Sequence, residues 1–209
     1  MNVVVFGAAG RTGRHVIGQG LESGLHITAF DLPWKEMEAH HPNLEILRGD
    51  ALKAQDVDAA VKGHTAVISV LGEPMDSSGH ELAPALENII ASMQRHGVGR
   101  LVSVSALGVG ETRQHVGFLF NLLLTPAFVE AFVEDKRTQE DIIVGSGLEW
   151  TIVRPGRLTD GPLTKHYHHG FGSELPSTDP AISRADLAHF VLTELKDRTY
   201  LRQFPGICY

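Results

Sequence analysis

The chain opens on an apolar run, Val3-Val4-Val5-Phe6, that passes directly into the stretch FGAAGRTGRH, with glycines at 7, 10 and 13. A strand that ends on glycine, turns within a few residues and continues into a helix demands a sheet beneath it, and so constrains the fold more than any other feature. Gly7 permits the tight turn, Gly10 lets a ligand's phosphates approach the backbone, and Gly13 lets the helix pack closely on the strand. The unpaired amides and the dipole at the helix start favour an anion. Glycine is common here, 22 of 209 residues, so the triplet counts through its context. That context includes Asp31, which closes the next apolar run 18 residues after Gly13. A carboxylate at that place can accept hydrogen bonds from both ribose hydroxyls of a dinucleotide.

Short β-branched runs recur along the first three quarters of the chain, at 3–6, 27–30, 44–47, 66–70, 101–104 and 151–153. They are apolar throughout instead of alternating, as expected of parallel strands covered on both faces. Helical patterns separate them. In 81–96, for example, Leu82, Leu86, Ile89, Ile90 and Met93 recur at helical spacing and Gly97 ends the run. The expected fold is α/β, a Rossmann-like doubly wound parallel sheet in a single domain over 1–209. The Gly-, Pro- and His-rich segment 156–180 is expected to be an irregular C-terminal substrate-side loop.

Composition narrows the partners. With 43% hydrophobic and 21% charged residues the chain can bury one sizeable core, and a net charge of -7 without a basic run argues against nucleic acid. A membrane is not expected either. The apolar stretch 116–129 carries Asn121 and Pro126 and is too short for a hydrocarbon core of ~30 Å, so a packed lid or subunit contact is the better reading. The single cysteine, Cys208, and the absence of a signal-peptide pattern at the start suit a reducing cytoplasm. A monomer or small homo-oligomer acting on a small molecule is expected.

The spacing is G-x-x-G-x-x-G, with Ala9 at the place of the middle glycine of G-x-G-x-x-G. GAAGRTG resembles the signature of the atypical and extended short-chain dehydrogenase/reductases, and further matches follow in order along nearly the whole chain. They are GDALKAQDVDAAVKGHTAVISVLG at 49–72, VSVSALGVG at 102–110, SGLEWTIVRPGRLTDGPLT at 146–164 and ISRADLAHFVLTEL at 182–195. Within that group, the GPLT stretch, Pro205 and the terminal Tyr209 are most similar to the biliverdin reductase B/flavin reductase enzymes.

The resemblance implies a cofactor track. The turn residues Gly7, Ala9, Gly10, Arg11, Thr12 and Gly13 would hold the pyrophosphate, and Asp31 with Leu32 the adenosine ribose. Asp50 and Ala51 would lie beside the adenine, and Val70, Leu71 and Gly72 would touch the cofactor from the fourth strand. Lys136, Pro155 and Gly156 would hold the nicotinamide riboside. NAD(H) or NADP(H) is expected. Asp31 favours NADH by bonding the ribose and repelling a 2'-phosphate, and relatives that use NADP carry Arg where this chain has Leu32. Arg11 points the other way, since it could reach a 2'-phosphate. The plainer readings are a solvated helix start for Arg11 and an ordinary turn residue for Asp50.

Short-chain dehydrogenases pair Tyr-x-x-x-Lys so that the lysine eases proton exchange at the substrate oxygen. Here that place reads Phe132-Val133-Glu134-Asp135-Lys136, and a phenyl ring donates no proton. The resemblance then implies a reductase that delivers hydride to a flat aromatic or conjugated acceptor, a flavin, a biliverdin-like tetrapyrrole or a quinone, with the proton taken from water or a weak acid. Ser105 is the candidate polar group near the reacting carbon, and Arg157 the candidate partner for an acceptor carboxylate or phosphate. Each has a structural alternative: Ser105 as a cap, Lys136 as a solvated pair with Glu140, and Arg157 as a loop brace. A non-catalytic NAD(P)-binding redox sensor of the NmrA-like kind is the alternative function, and a sugar-nucleotide epimerase comes last because it needs the tyrosine. No metal is expected, despite His166, His168 and His169. Acceptor choice is expected to reside in the loops 73–80, 108–128 and 156–180.

Overall fold

The computed structural model describes residues 1–33, 35, 37, 39–72, 82–109, 126–176 and 180–209, with backbone alone at 126–132 and 173. Residues 116–125 of the apolar stretch, the loop 73–80 and the Phe132 side chain therefore lie outside the described residues.

Each apolar run of the first three quarters forms a strand. In chain order the elements are β1 (Asn2–Phe6), α1 (Arg11–Glu22), β2 (His26–Asp31), β3 (Leu44–Arg48), α2 (Ala54–Val61), β4 (Ala66–Ser69), α3 (Leu82–His96), β5 (Arg100–Val104), α4 (Pro126–Gly145) and β6 (Glu149–Pro155). Then come β7 (Arg157–Thr159), β8 (His168–Gly170), β9 (Ala181–Ser183), α5 (Arg184–Asp197) and β10 (Gly206–Cys208).

The main sheet runs β3-β2-β1-β4-β5-β6-β10-β8, parallel throughout except where β8 lies antiparallel to β10. From β1 the chain winds outward through β2 to β3, then returns to β4 on the other side. This reversal opens a crevice at the carboxyl ends of β1 and β4, the usual ligand position in such sheets.

Side chains alternate across β1. Val3 and Val5 enter one core with Val16 and Ile17 of α1 and Leu187 and Val191 of α5. Val4 and Phe6 enter the other, with Val57 of α2 and Leu86, Ile89 and Met93 of α3. Both faces of the central strands are therefore covered, which explains their unbroken apolar character. Each such aliphatic side chain removed from water contributes about 1.5–3 kcal/mol, so the sheet rests on many equivalent contacts.

The segment 156–180, expected to be irregular, also carries two three-residue strands. Within it, β7 pairs with β9 in a separate two-stranded sheet, and β8 extends the main sheet through β10. Strands of three residues are too short to show a hydrophobic period, and the Gly and His within them read as loop.

Candidate functional site

The glycine turn closes at the carboxyl end of β1. Gly7 has φ +82°, and a Cβ there would stand 2.7 Å from the Val70 carbonyl oxygen at the end of β4. At Gly13 a Cβ would come within 2.2 Å of the Gly7 carbonyl oxygen, so the first turn of α1 can lie against the loop only without a side chain. Gly10 differs, since a Cβ there would meet only the Gly7 carbonyl oxygen, at 3.1 Å. Its backbone φ of -64° suits any residue, and the open side of the turn is where a phosphate would approach. Gly10 caps α1 with no side-chain hydrogen bond, leaving the amides of the Arg11, Thr12 and Gly13 turn without a capping oxygen.

Asp31 stabilises this turn from β2. The Ala9 amide donates to its Oδ2 at 2.8 Å, and the Leu32 amide donates to its Oδ1 at 2.9 Å. Its side chain is only 6% exposed and pairs with Lys35 through a 3.1 Å contact to Oδ1. Arg11, the cation set against Asp31 in the sequence, is instead drawn toward Asp160 beyond β7, at 3.4 Å between two well-exposed side chains. Asp160 also pairs with the nearly buried Arg184, at 2.6 Å.

Asp50 has the local role of a turn residue: its Oδ1 accepts from the Leu52 amide, and its own amide donates to Asp56. Ala51 follows it and accepts the Asn88 amide. Val70 and Leu71 are half-buried at the end of β4, where the Val70 amide donates to the Phe6 carbonyl, and Gly72 is exposed.

Ser105 follows β5, its amide donating to the Val153 carbonyl at 2.8 Å. Its Oγ is buried and has no hydrogen-bond partner among the described residues, so it caps none of them. A buried hydroxyl normally finds a partner, and one left open at this edge suits a polar group of a ligand. Next to it, the Leu107 amide donates to the Pro155 carbonyl, and the Gly156 amide to Ile207 of β10. Arg157 begins β7 with an exposed side chain.

The alternative reading of Lys136, a solvated pair with Glu140, does not hold. Lys136 is 7% exposed, and its Nζ donates to Gln139 Oε1 at 3.1 Å. Glu140 turns to β6, where Arg154 grips both its oxygens. Two charged groups one helical turn apart are thus committed to the protein interior and not to solvent.

All three tyrosines are engaged with partners other than Lys136. Tyr167 shares a 2.7 Å hydrogen bond with His189, Tyr200 one of 2.8 Å with His169, and Tyr209 donates to Asp186 at 2.7 Å. Burial, with the nearby Asp186 charge, pushes the Tyr167 phenol up to about 12, the wrong direction for a proton donor. His168 and His169 are adjacent on β8 and point to opposite faces, and no group of three metal-ligating side chains forms among the described residues.

Asp186 was not singled out by sequence reasoning, although Ser183-Arg184-Ala185-Asp186 carries a capping pattern before an apolar run. Ser183 Oγ accepts the Asp186 amide. The Asp186 carboxylate accepts the amides of Thr164 and Lys165, the Thr164 hydroxyl and the Tyr209 phenol. Burial alone would raise its pKa, but these donors outweigh it and hold the carboxyl below the usual range. They also hold Lys165 at φ +61°, a left-handed conformation that a residue with a side chain adopts at some cost.

Uncapped helix amides, a carboxylate at the end of β2 and an unpartnered hydroxyl at the end of β5 thus lie along one edge of the sheet. The profile of an NAD(P)H-binding family matches residues 7–198. The chain belongs to this family.

Among relatives of this NAD(P)H-binding protein, a Rossmann-fold NAD(P)-binding family protein from Shigella flexneri is 28% identical. Its structure superposes with a TM-score of 0.74, covering 99% of this chain and 92% of that one. An uncharacterised sugar epimerase of Bacillus subtilis, YhfK, is 27% identical over 215 residues, covering 95% of this chain and 89% of its own. ChuY, an anaerobilin reductase of Escherichia coli O157:H7, shares the fold at 22% identity, with a TM-score of 0.78 over 100% of this chain and 97% of its own. The chain spans 61% and 46% of the length of two longer curated relatives. Among the described residues, no helix is long and apolar enough to cross a membrane.

Proposed function

We propose that this protein is an NAD(P)H-dependent reductase that reduces a flat, conjugated acceptor of the flavin, biliverdin-like tetrapyrrole or quinone class. The observation that carries the reading is the fate of the phenols. Position 132, one helical turn before Lys136, is phenylalanine, and the chain's three tyrosines are all committed to other partners. An alcohol-carbonyl dehydrogenase or an epimerase needs a phenol next to its lysine, whereas a conjugated acceptor needs mainly a hydride and a proton from water.

The reduced nicotinamide would supply the hydride, and the protein's residues position the two partners. The amides of the Gly10–Gly13 turn bind the pyrophosphate, and Asp31 accepts from the ribose and favours NADH. Lys136 orients the nicotinamide riboside from α4. The Ser105 hydroxyl orients the carboxamide or the acceptor's polar edge, and Arg157 pairs with an acceptor carboxylate or phosphate. Holding donor and acceptor in contact, away from water, can lower the barrier by roughly 7–11 kcal/mol in well-oriented cases. ChuY, which shares the fold, is an anaerobilin reductase, in keeping with this reading.

The test is turnover: NADH and NADPH in parallel, with FMN and biliverdin as acceptors, followed by loss of reduced-nicotinamide absorbance. Steady turnover supports the reductase. The phenylalanine at 132 equally favours a redox sensor, and tight cofactor binding without turnover of any acceptor would replace the reductase with that reading.

A further inference from the structure

The Asp31 corner, proposed above as the ribose site, carries a cation that no motif predicts. After β2 the chain turns back on itself: Pro33 sits at the second position of the turn, and the Lys35 amide donates to the Leu32 carbonyl at 3.0 Å. Proline at that position presets the bend. The turn returns the Lys35 side chain over Asp31, with Nζ at 3.1 Å from Oδ1.

The exposures of the two partners differ sharply. Asp31 is 6% exposed, while Lys35 is 43% exposed. A carboxylate has about four acceptor directions. Three are taken, by the amides of Ala9 and Leu32 and by the Lys35 ammonium, which leaves Oδ2 with capacity for one ribose hydroxyl. A ligand approaching from solvent therefore meets the ammonium before it meets the shielded carboxylate. The other candidate cation, Arg11, is engaged with Asp160.

We propose that Lys35 is the specificity-determining residue that admits a ribose 2'-phosphate, so that the protein accepts both NADH and NADPH. It cancels the repulsion Asp31 would otherwise exert on a dianion and offers the phosphate a charge-assisted hydrogen bond. Asp31 keeps the bond to the unphosphorylated ribose. The preference for NADH is thus a balance between two adjacent side chains, and removing the lysine makes the protein selective for NADH. This rests on the reading of the Asp31 corner as the ribose site.

Calorimetric titration with ADP and adenosine 2',5'-bisphosphate tests the proposal without any acceptor or turnover. In Lys35→Ala the bisphosphate should bind about tenfold more weakly, with ADP affinity held within about twofold, and Lys35→Arg should restore bisphosphate binding. Raising the salt concentration should weaken bisphosphate binding more in the unaltered protein than in Lys35→Ala. Equal losses for both nucleotides in Lys35→Ala, or no loss for either, would overturn the role of Lys35. If ADP does not bind the unaltered protein, the ribose-site reading itself fails, and this proposal fails with it.

Discussion

Arg154 of β6 and Glu140 of α4 form a two-pronged ion pair in the interior, with Nη2–Oε2 at 2.7 Å and Nε–Oε1 at 3.0 Å. Their side chains are 3% and 6% exposed, and the guanidinium also lies 4.4 Å from the centre of the Phe204 ring. The pair joins α4 to the sheet one turn after Lys136, so it fixes that part of the helix against β6. Removing one partner strands a buried charge. Glu140→Leu or Arg154→Leu should each lower stability by about 3–5 kcal/mol, whereas the two replacements together should cost far less. Urea unfolding of the two single variants and the double variant measures this, and additive losses in the double would contradict it.

Ser105 separates a structural role from a functional one. Because its buried hydroxyl has no hydrogen-bond partner among the described residues, Ser105→Ala should leave stability within about 0.5 kcal/mol, in contrast to the 1–3 kcal/mol expected when a satisfied buried group loses its partner. Acceptor reduction should slow about tenfold while dinucleotide affinity persists. A marked loss of stability in thermal unfolding would restore the capping role that the sequence also allowed.

The acid limb of stability should report on Asp186. Burial works against its charged form, but its four donors prevail, so its pKa in the folded protein lies below the unfolded value of 3.8. A depressed carboxyl stabilises the fold above the unfolded pKa, and that contribution is lost as pH falls through the folded pKa. The loss therefore lies below about pH 4. Tyr209→Phe removes one donor and one acceptor for the Ser183 amide, and should cost about 1 kcal/mol at neutral pH and reduce the loss below pH 4. Asp58 contributes to the same limb. Hydrogen bonds from Arg95, with the His96 ring 3.0 Å away, hold its carboxyl low, so unfolding curves of Tyr209→Phe should be compared with those of Arg95→Ala.

The parts of this molecule that were legible in advance share a physical cause. The runs from Val3 to Phe6 and from Leu101 to Val104 read as strands because both faces are buried, which forces apolar residues at consecutive positions. The glycine turn was legible because two of its glycines stand where no Cβ fits. β7 to β10 left no trace, since three residues carry no period and their stability comes from neighbours distant in the chain. For the same reason Glu140 was matched to Lys136, its neighbour on the helix, although its partner is Arg154 on another element. Lys35 lies on no regular element; only the turn at Pro33 brings it to Asp31, and a turn of that kind sets no spacing that a motif can capture.

The same turn yields the sharpest contrast between folding and binding. Gly13→Ala would force a Cβ to within 2.2 Å of the Gly7 carbonyl oxygen and 2.7 Å of that of Ala8, both rigid backbone atoms, so the helix must move off the strand. Overpacking of this kind costs about 1–3 kcal/mol or more. Gly10→Ala meets one oxygen at 3.1 Å and keeps an ordinary φ, so its stability should change by less than about 1 kcal/mol. If Gly10 is there to let phosphates reach the amides of α1, this milder variant should bind NADH at least about tenfold more weakly, because a methyl group would occupy the phosphates' place. Thermal unfolding and calorimetric titration of both variants decide the matter. A Gly10→Ala protein that binds NADH normally would show that the phosphates do not sit on this turn.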